Sequence, residues 1–103
     1  MKILLCGATG FIGRHLEQAL IASGHHVVRA IRQPKRADDI SVDFVRDTDA
    51  AIWLPRLMGI DVVVNAVGIL RDSTAVPMQA VHADTPKALF TACAQVGCKV
   101  VHI

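Results

Sequence analysis

Three glycines stand three residues apart in Gly7-Ala8-Thr9-Gly10-Phe11-Ile12-Gly13. If a strand leads into this run and a helix leaves it, each glycine has its own task in binding a dinucleotide. Gly7 permits the tight turn out of the strand. Gly10 lets the backbone approach a pyrophosphate with no Cβ in the way, and Gly13 lets the helix lie close to the sheet. Thr9, Phe11 and Ile12 belong to the same candidate set, because the first amides of the helix and the positive end of its dipole would face the phosphates. Without those flanking elements the spacing is a structural glycine turn with no ligand.

Further along, Arg32 is followed by Lys35 and Arg36. About 20 residues after the glycine run, an acidic side chain would accept hydrogen bonds from an adenosine ribose. A guanidinium cannot accept them, but it matches a 2′-phosphate dianion. Arg32 and Arg36 therefore favour NADP(H), with NAD(H) possible, and the competing reading is a solvated basic loop. Ala66, Val67 and Gly68 close another apolar run, and their backbone would line the nicotinamide-side ribose, since ligands of open α/β sheets bind beyond the carboxyl ends of the strands. Asn65, polar inside that run, must find partners if buried.

The elements that would position these residues follow from apolar runs alternating with helical spacing. Lys2 to Cys6 predicts a strand, Phe11 to Ser23 a helix closed by Gly24, and His26 to Ile31 a second strand. Gln33 to Ser41, with Pro34, predicts a loop before a third strand at Val42 to Val45. Thr48 or Asp49 can cap a short helix that Pro55 interrupts, with Gly59 closing the segment. Val62 to Val67 predicts the most buried strand. Pro77 to Val96 predicts a helix kinked or divided at Pro86, with Asp84-Thr85 as a local cap and Gly97 as its end, and Lys99 to Ile103 a fifth strand. The expected fold is α/β, a Rossmann-type doubly wound parallel sheet of five strands in the order 3-2-1-4-5 with right-handed crossovers.

At these residues the whole chain resembles the short-chain dehydrogenase/reductase superfamily, in particular its extended and atypical members related to nucleotide-sugar epimerases. Lys2 to Gly13 is similar to that family's first strand and glycine loop. Gly24 to Pro34 is similar to its second strand, Asn65-Ala66-Val67-Gly68 to the motif closing the fourth, and Val100 to Ile103 to the fifth. Trp53-Leu54-Pro55-Arg56-Leu57 together with Val64 to Leu70 looks most like the subgroup related to the NAD(P)-binding accessory subunit of respiratory complex I. The resemblance implies that Asp47 lies against the adenine, where a carboxylate accepts from the exocyclic amine; a cap for the next turn is the other use of such a residue. It also aligns His82 with a helix position that is often Asn and helps hold the active site, against an ordinary packing or surface histidine. Reductases and epimerases of this family use a Tyr-x-x-x-Lys pair, and the sequence has no tyrosine. No catalytic residue is assigned here.

Composition narrows the remaining classes. At 103 residues, 52% of them hydrophobic, the chain predicts one domain, residues 1–103, with a buried core. The resemblance makes it the N-terminal part of a longer protein. A formal charge of +2 argues against a nucleic-acid partner or a membrane surface, and the apolar runs are too short for a membrane span. Three cysteines cannot close a disulfide framework, which suits a cytoplasmic setting. Each thiol, Cys6, Cys93 and Cys98, is expected to be buried and inert. Five scattered histidines suggest no metal site. A small-molecule substrate is implied without being identified. Two functions remain: the NADP(H)-binding portion of an oxidoreductase or epimerase-like enzyme, or a non-catalytic dinucleotide-binding module. A mean hydropathy of +0.43 is high for this length and suits a sheet that extends beyond its fifth strand; if the chain ends at Ile103, exposed apolar surface near Val100 to Ile103 and self-association are expected.

Overall fold

The computed structural model describes residues 1–67 and 80–103. Five strands form one parallel sheet: β1 (Lys2–Cys6), β2 (His26–Ile31), β3 (Ile40–Ser41), β4 (Val62–Asn65) and β5 (Lys99–His102). Their order is β3-β2-β1-β4-β5, as the sequence predicts. The central strand β1 pairs on one side from Lys2↔His26 to Cys6↔Ala30 and on the other from Ile3↔Val62 to Cys6↔Asn65.

Helix α1 (Phe11–Ala22) covers one face. The other is covered by α2 (Ala50–Trp53), the 3₁₀ turn Leu54–Leu57 and α3 (Thr85–Val96). Covering on both faces explains why β1 and β4 read as continuous apolar runs instead of alternating ones. Period two still sorts the residues: Leu4, Cys6, Val28 and Val63 face Trp53, Leu57 and Leu89, while Ile3, Leu5, Val27 and Val64 face Leu16 and Leu20. Trp53 is fully buried, its indole N–H donating to the Asp47 carbonyl at 2.9 Å and its ring meeting Phe44 edge-on.

Two strands differ from the sequence expectation by more than one residue at a boundary. The third strand is Ile40–Ser41, not Val42 to Val45. It lies at the outer edge of the sheet, with only Ala30↔Ile40 and Ile31↔Ser41 in register. After Val42 the Asp43 carboxylate accepts the Val45 amide at 2.9 Å and its carbonyl accepts the Asp47 amide at 2.8 Å, which curls the chain away. The fourth strand stops at Asn65, whose side chain takes the Val67 amide at 3.2 Å and turns the backbone out of the ladder. The predicted helix is divided, as Pro86 suggests: a π-helical turn, Ala80–Asp84, precedes α3, with Pro86 in the first turn where its missing amide costs nothing. Thr85 does not act as a local cap. Its hydroxyl donates to the Phe44 carbonyl at 2.6 Å, joining α3 to the loop after β3.

Candidate functional site

The glycine run turns directly from β1 into α1, and the structure separates the parts its three glycines play. Gly7 has φ +81°, and a Cβ there would lie 2.7 Å from the Ala66 carbonyl group. At Gly13 a Cβ would lie 1.8 Å from the Gly7 carbonyl oxygen, so the first turn of α1 rests on the backbone of the loop. Gly10 is different: a Cβ there would meet only the Gly7 carbonyl oxygen, at 3.4 Å, so packing within the chain constrains this glycine far less than the other two. It is also the N-cap of α1 and provides no capping side chain. The first amides of the helix therefore face outward unpaired by any cap. Phe11 and Ile12 stand exposed at this terminus.

Beside the loop, at the carboxyl ends of the strands, runs a groove of about 310 Å³ lined by Gly7, Thr9, Arg32, Asp43, Phe44 and Val67, among others. Thr9 and Arg32 continue into an adjoining recess with Gln33 and Lys35. The structure thus brings together Gly7, Thr9, Arg32 and Val67, four residues singled out from the sequence. Ala66 packs its backbone on Gly7, and Gly68 lies outside the described residues.

Two further candidates are placed elsewhere. The Asp47 carboxylate accepts the Asp43 amide at 2.8 Å and pairs with the Arg56 guanidinium at 2.7 Å, which itself stacks 4.5 Å over the Trp53 ring. It ties the loop to the core, and the acidic residue in the groove wall is Asp43. Nor does Asp47 cap the next helix: Asp49 does, accepting the Ala51 amide. Arg36 lies outside the groove but close to the glycine loop: it pairs with Glu17 of α1 at 2.8 Å and lines a recess with Ala8, Thr9 and Arg14. Asp43 falls inside the third strand that the sequence predicts, and its place in the groove wall follows from that strand ending at Ser41.

The loop between β2 and β3 contains a group of charges that sequence spacing did not suggest. Arg29, buried on β2, donates from Nε and Nη2 to the two carboxylate oxygens of Asp39 at 2.9 and 2.6 Å. The amides of Lys35 and Arg36 each donate to the same carboxylate at 2.8 Å. The hydrogen bond from Arg29, aided by these amides, holds the Asp39 carboxyl well below the usual carboxylate range despite its burial. Arg32 has no ion pair among the described residues, in contrast to Arg29 and Arg36.

Asn65 is fully buried and satisfied: its Oδ1 accepts the Val67 amide, so its Nδ2 faces His102 Nδ1 at 3.2 Å. His82 falls in the π-helical turn. All three cysteines are free, and burial pushes the Cys6 and Cys93 thiols up to about 12, well away from reactive thiolates. Cys98 is only half-buried. Among the described residues no group of three or more His, Cys, Asp or Glu side chains could hold a metal ion, and no helix is long and apolar enough to cross a membrane.

Comparison with known proteins agrees with this geometry. A profile of the NAD dependent epimerase/dehydratase family matches residues 3–103. Among solved structures, the UDP-N-acetylglucosamine 4-epimerase from Bacillus cereus is 21% identical with a TM-score of 0.75, covering 99% of this chain and 38% of that one. A short-chain dehydrogenase/reductase superfamily protein from Agrobacterium tumefaciens, solved with bound NAD, is 22% identical with a TM-score of 0.77, covering 99% and 32%. The 3-alpha-hydroxysteroid dehydrogenase from Pseudomonas sp. B-0831, complexed with NADH, is 27% identical with a TM-score of 0.72, covering 99% and 46%. The chain spans less than half the length of each of these three structures. No curated protein matches it.

Proposed function

The chain belongs to the NAD dependent epimerase/dehydratase family, and on that premise we propose that it is the NADP(H)-binding portion of a longer oxidoreductase or nucleotide-sugar epimerase-like enzyme. The observation that carries the preference for NADP(H) is Arg32. It follows β2 directly at the lip of the groove, without an ion-pair partner among the described residues, beside Thr9 and Lys35. A guanidinium there neutralises and donates to a 2′-phosphate. The pyrophosphate would lie against Gly10, where the backbone carries no Cβ, and the amides at the start of α1. Asp43 and Phe44 form the wall for the adenine, and the backbone at Ala66 and Val67 borders the nicotinamide-side ribose. When bound, the cofactor supplies or accepts hydride. The residues of this chain bind and orient it; proton transfer to a substrate is not assigned to them, because the sequence has no tyrosine for the family's Tyr-x-x-x-Lys pair. A second reading, a non-catalytic dinucleotide-binding module, rests on the likeness of the segments Trp53 to Leu57 and Val64 to Leu70 to the accessory subunit of complex I. Free thiols at Cys6, Cys93 and Cys98 support a reducing, cytoplasmic setting.

Titration of the protein with NADPH and NADH tests the cofactor assignment. Arg32→Ala should weaken NADPH by roughly ten- to a hundredfold, the value of a charge-assisted hydrogen bond, and leave NADH unchanged. Equal affinity of the unaltered protein for the two would overturn it. Turnover of a carbonyl or nucleotide-sugar substrate with NADPH supports the enzyme; tight binding without turnover across such a panel supports the module.

A further inference from the structure

We infer that Arg29 and Asp39 form a positioning clamp that sets cofactor selectivity by holding Arg32 and Lys35 at the ribose end of the groove, an inference that rests on the NADP(H) reading above. The Asp39 side chain is fully shielded from solvent, although it belongs to a surface loop. Its carboxylate receives four donors: two from Arg29 and the amides of Lys35 and Arg36. The loop is thereby folded back on a single anchor that rises from β2 beneath it. Arg36 is held in turn by Glu17 of α1, so the loop is tied at both of its flanks. Among the described residues, Arg32 and Lys35 are the cations without ion pairs in the adjoining recess, of which Arg29 forms part.

Stability is a poor explanation for such a pair. Removing two charges from water costs about as much as their attraction returns, and well-packed apolar side chains of similar volume would serve the fold equally. What an apolar pair lacks is the directional grip on two loop amides. That grip fixes where Arg32 and Lys35 stand before a ligand arrives, which lowers the ordering cost of binding a 2′-phosphate. NADH has no such phosphate and makes no use of the arrangement.

Asp39→Asn keeps the side-chain size and removes the charge. Dissociation constants for NADPH and NADH, read beside a thermal melt, should show NADPH weakened by about tenfold, the loss of one charge-assisted contact, with NADH unchanged. The double variant Arg29→Met/Asp39→Leu replaces the pair with apolar side chains, guards against a single variant that fails to fold, and should lose selectivity in the same way. NADPH selectivity that persists in both variants, while Arg32→Ala abolishes it, overturns the clamp and leaves the cofactor reading standing. Parallel weakening of NADPH and NADH also overturns it, since that is the mark of a merely structural pair. Absence of NADPH preference in the unaltered protein overturns the cofactor reading and the clamp together.

Discussion

On one face of the sheet, Trp53, Leu57, Leu89, Ala92 and Cys93 press onto Leu4, Cys6, Val28 and Val63, nearly all of them without solvent contact. On the other, α1 covers a smaller apolar set around Ile3, Leu5 and Val64, and two buried charged residues, Glu17 and Arg29, lie beside it. Here too the helix rests on bare backbone at Gly13. Buried charge occurs on both faces, since Asp47 and Arg56 stand beside Trp53, but the smaller core and the Arg29–Asp39 pair belong to the face from which the glycine loop and the Arg32 loop arise. Close approach and fixed polar groups are what binding requires, and both are gained at the expense of apolar packing. The denser face offsets that loss, so stability and selectivity should respond to different substitutions.

The largest test is on the dense face. Trp53→Ala removes the biggest fully buried side chain and its hydrogen bond to Asp47, and should cost about 3–5 kcal/mol by urea denaturation. The fraction that remains folded should keep its affinity for NADPH; a parallel loss of affinity would break the division of labour. Gly13→Ala comes next. With its Cβ directed at the Gly7 carbonyl, it should cost about 1–3 kcal/mol and abolish dinucleotide binding, because the displaced turn is the one that presents the amides.

Acid sharpens the comparison on the charged face. Asp39 is held ionised in the folded chain below the range where an unfolded aspartate takes up its proton, at about pH 3.9. Its contribution to stability is therefore present above that pH and is lost as the pH falls toward the folded-state value. Urea midpoints measured between pH 7 and pH 3 should decline below about pH 4, less steeply in Asp39→Asn. Alkali probes the dense face with the opposite sign. The Cys6 and Cys93 thiols, raised to about 12, add stability below the unfolded thiol value of about 8.5 and lose it as the pH climbs between the two. At neutral pH a thiol reagent should modify Cys98 first; equal labelling of all three in the native protein would show that this face opens as readily as the other.

The sequence made β1 and β2 legible to the residue, because both are largely apolar runs that no turn residue interrupts. The glycine loop was legible because its spacing follows from backbone geometry. The third strand was not. Val42, Phe44 and Val45 are apolar because they wall the groove or pack around Trp53, and a pattern reading cannot separate that from membership of a ladder. Asp47, which the family resemblance sets against the adenine, lies outside the groove, and Asp43 lines it. The Arg29–Asp39 pair escaped for another reason: its partners are ten residues apart, and only folding of the loop brings them into contact.

The position of β1 has a consequence for how the chain is made. It emerges from the ribosome before the other four strands, yet it is the middle strand, and one of its two neighbours, β4, begins only at Val62. At 5–20 residues per second, roughly 60 residues take about 3–12 s to appear. For that time Leu4 and Leu5 present an unpaired, apolar strand edge to the cell. The nascent chain is therefore a natural client for a holding chaperone, and its yield should depend on translation speed more than the stability of the finished fold does.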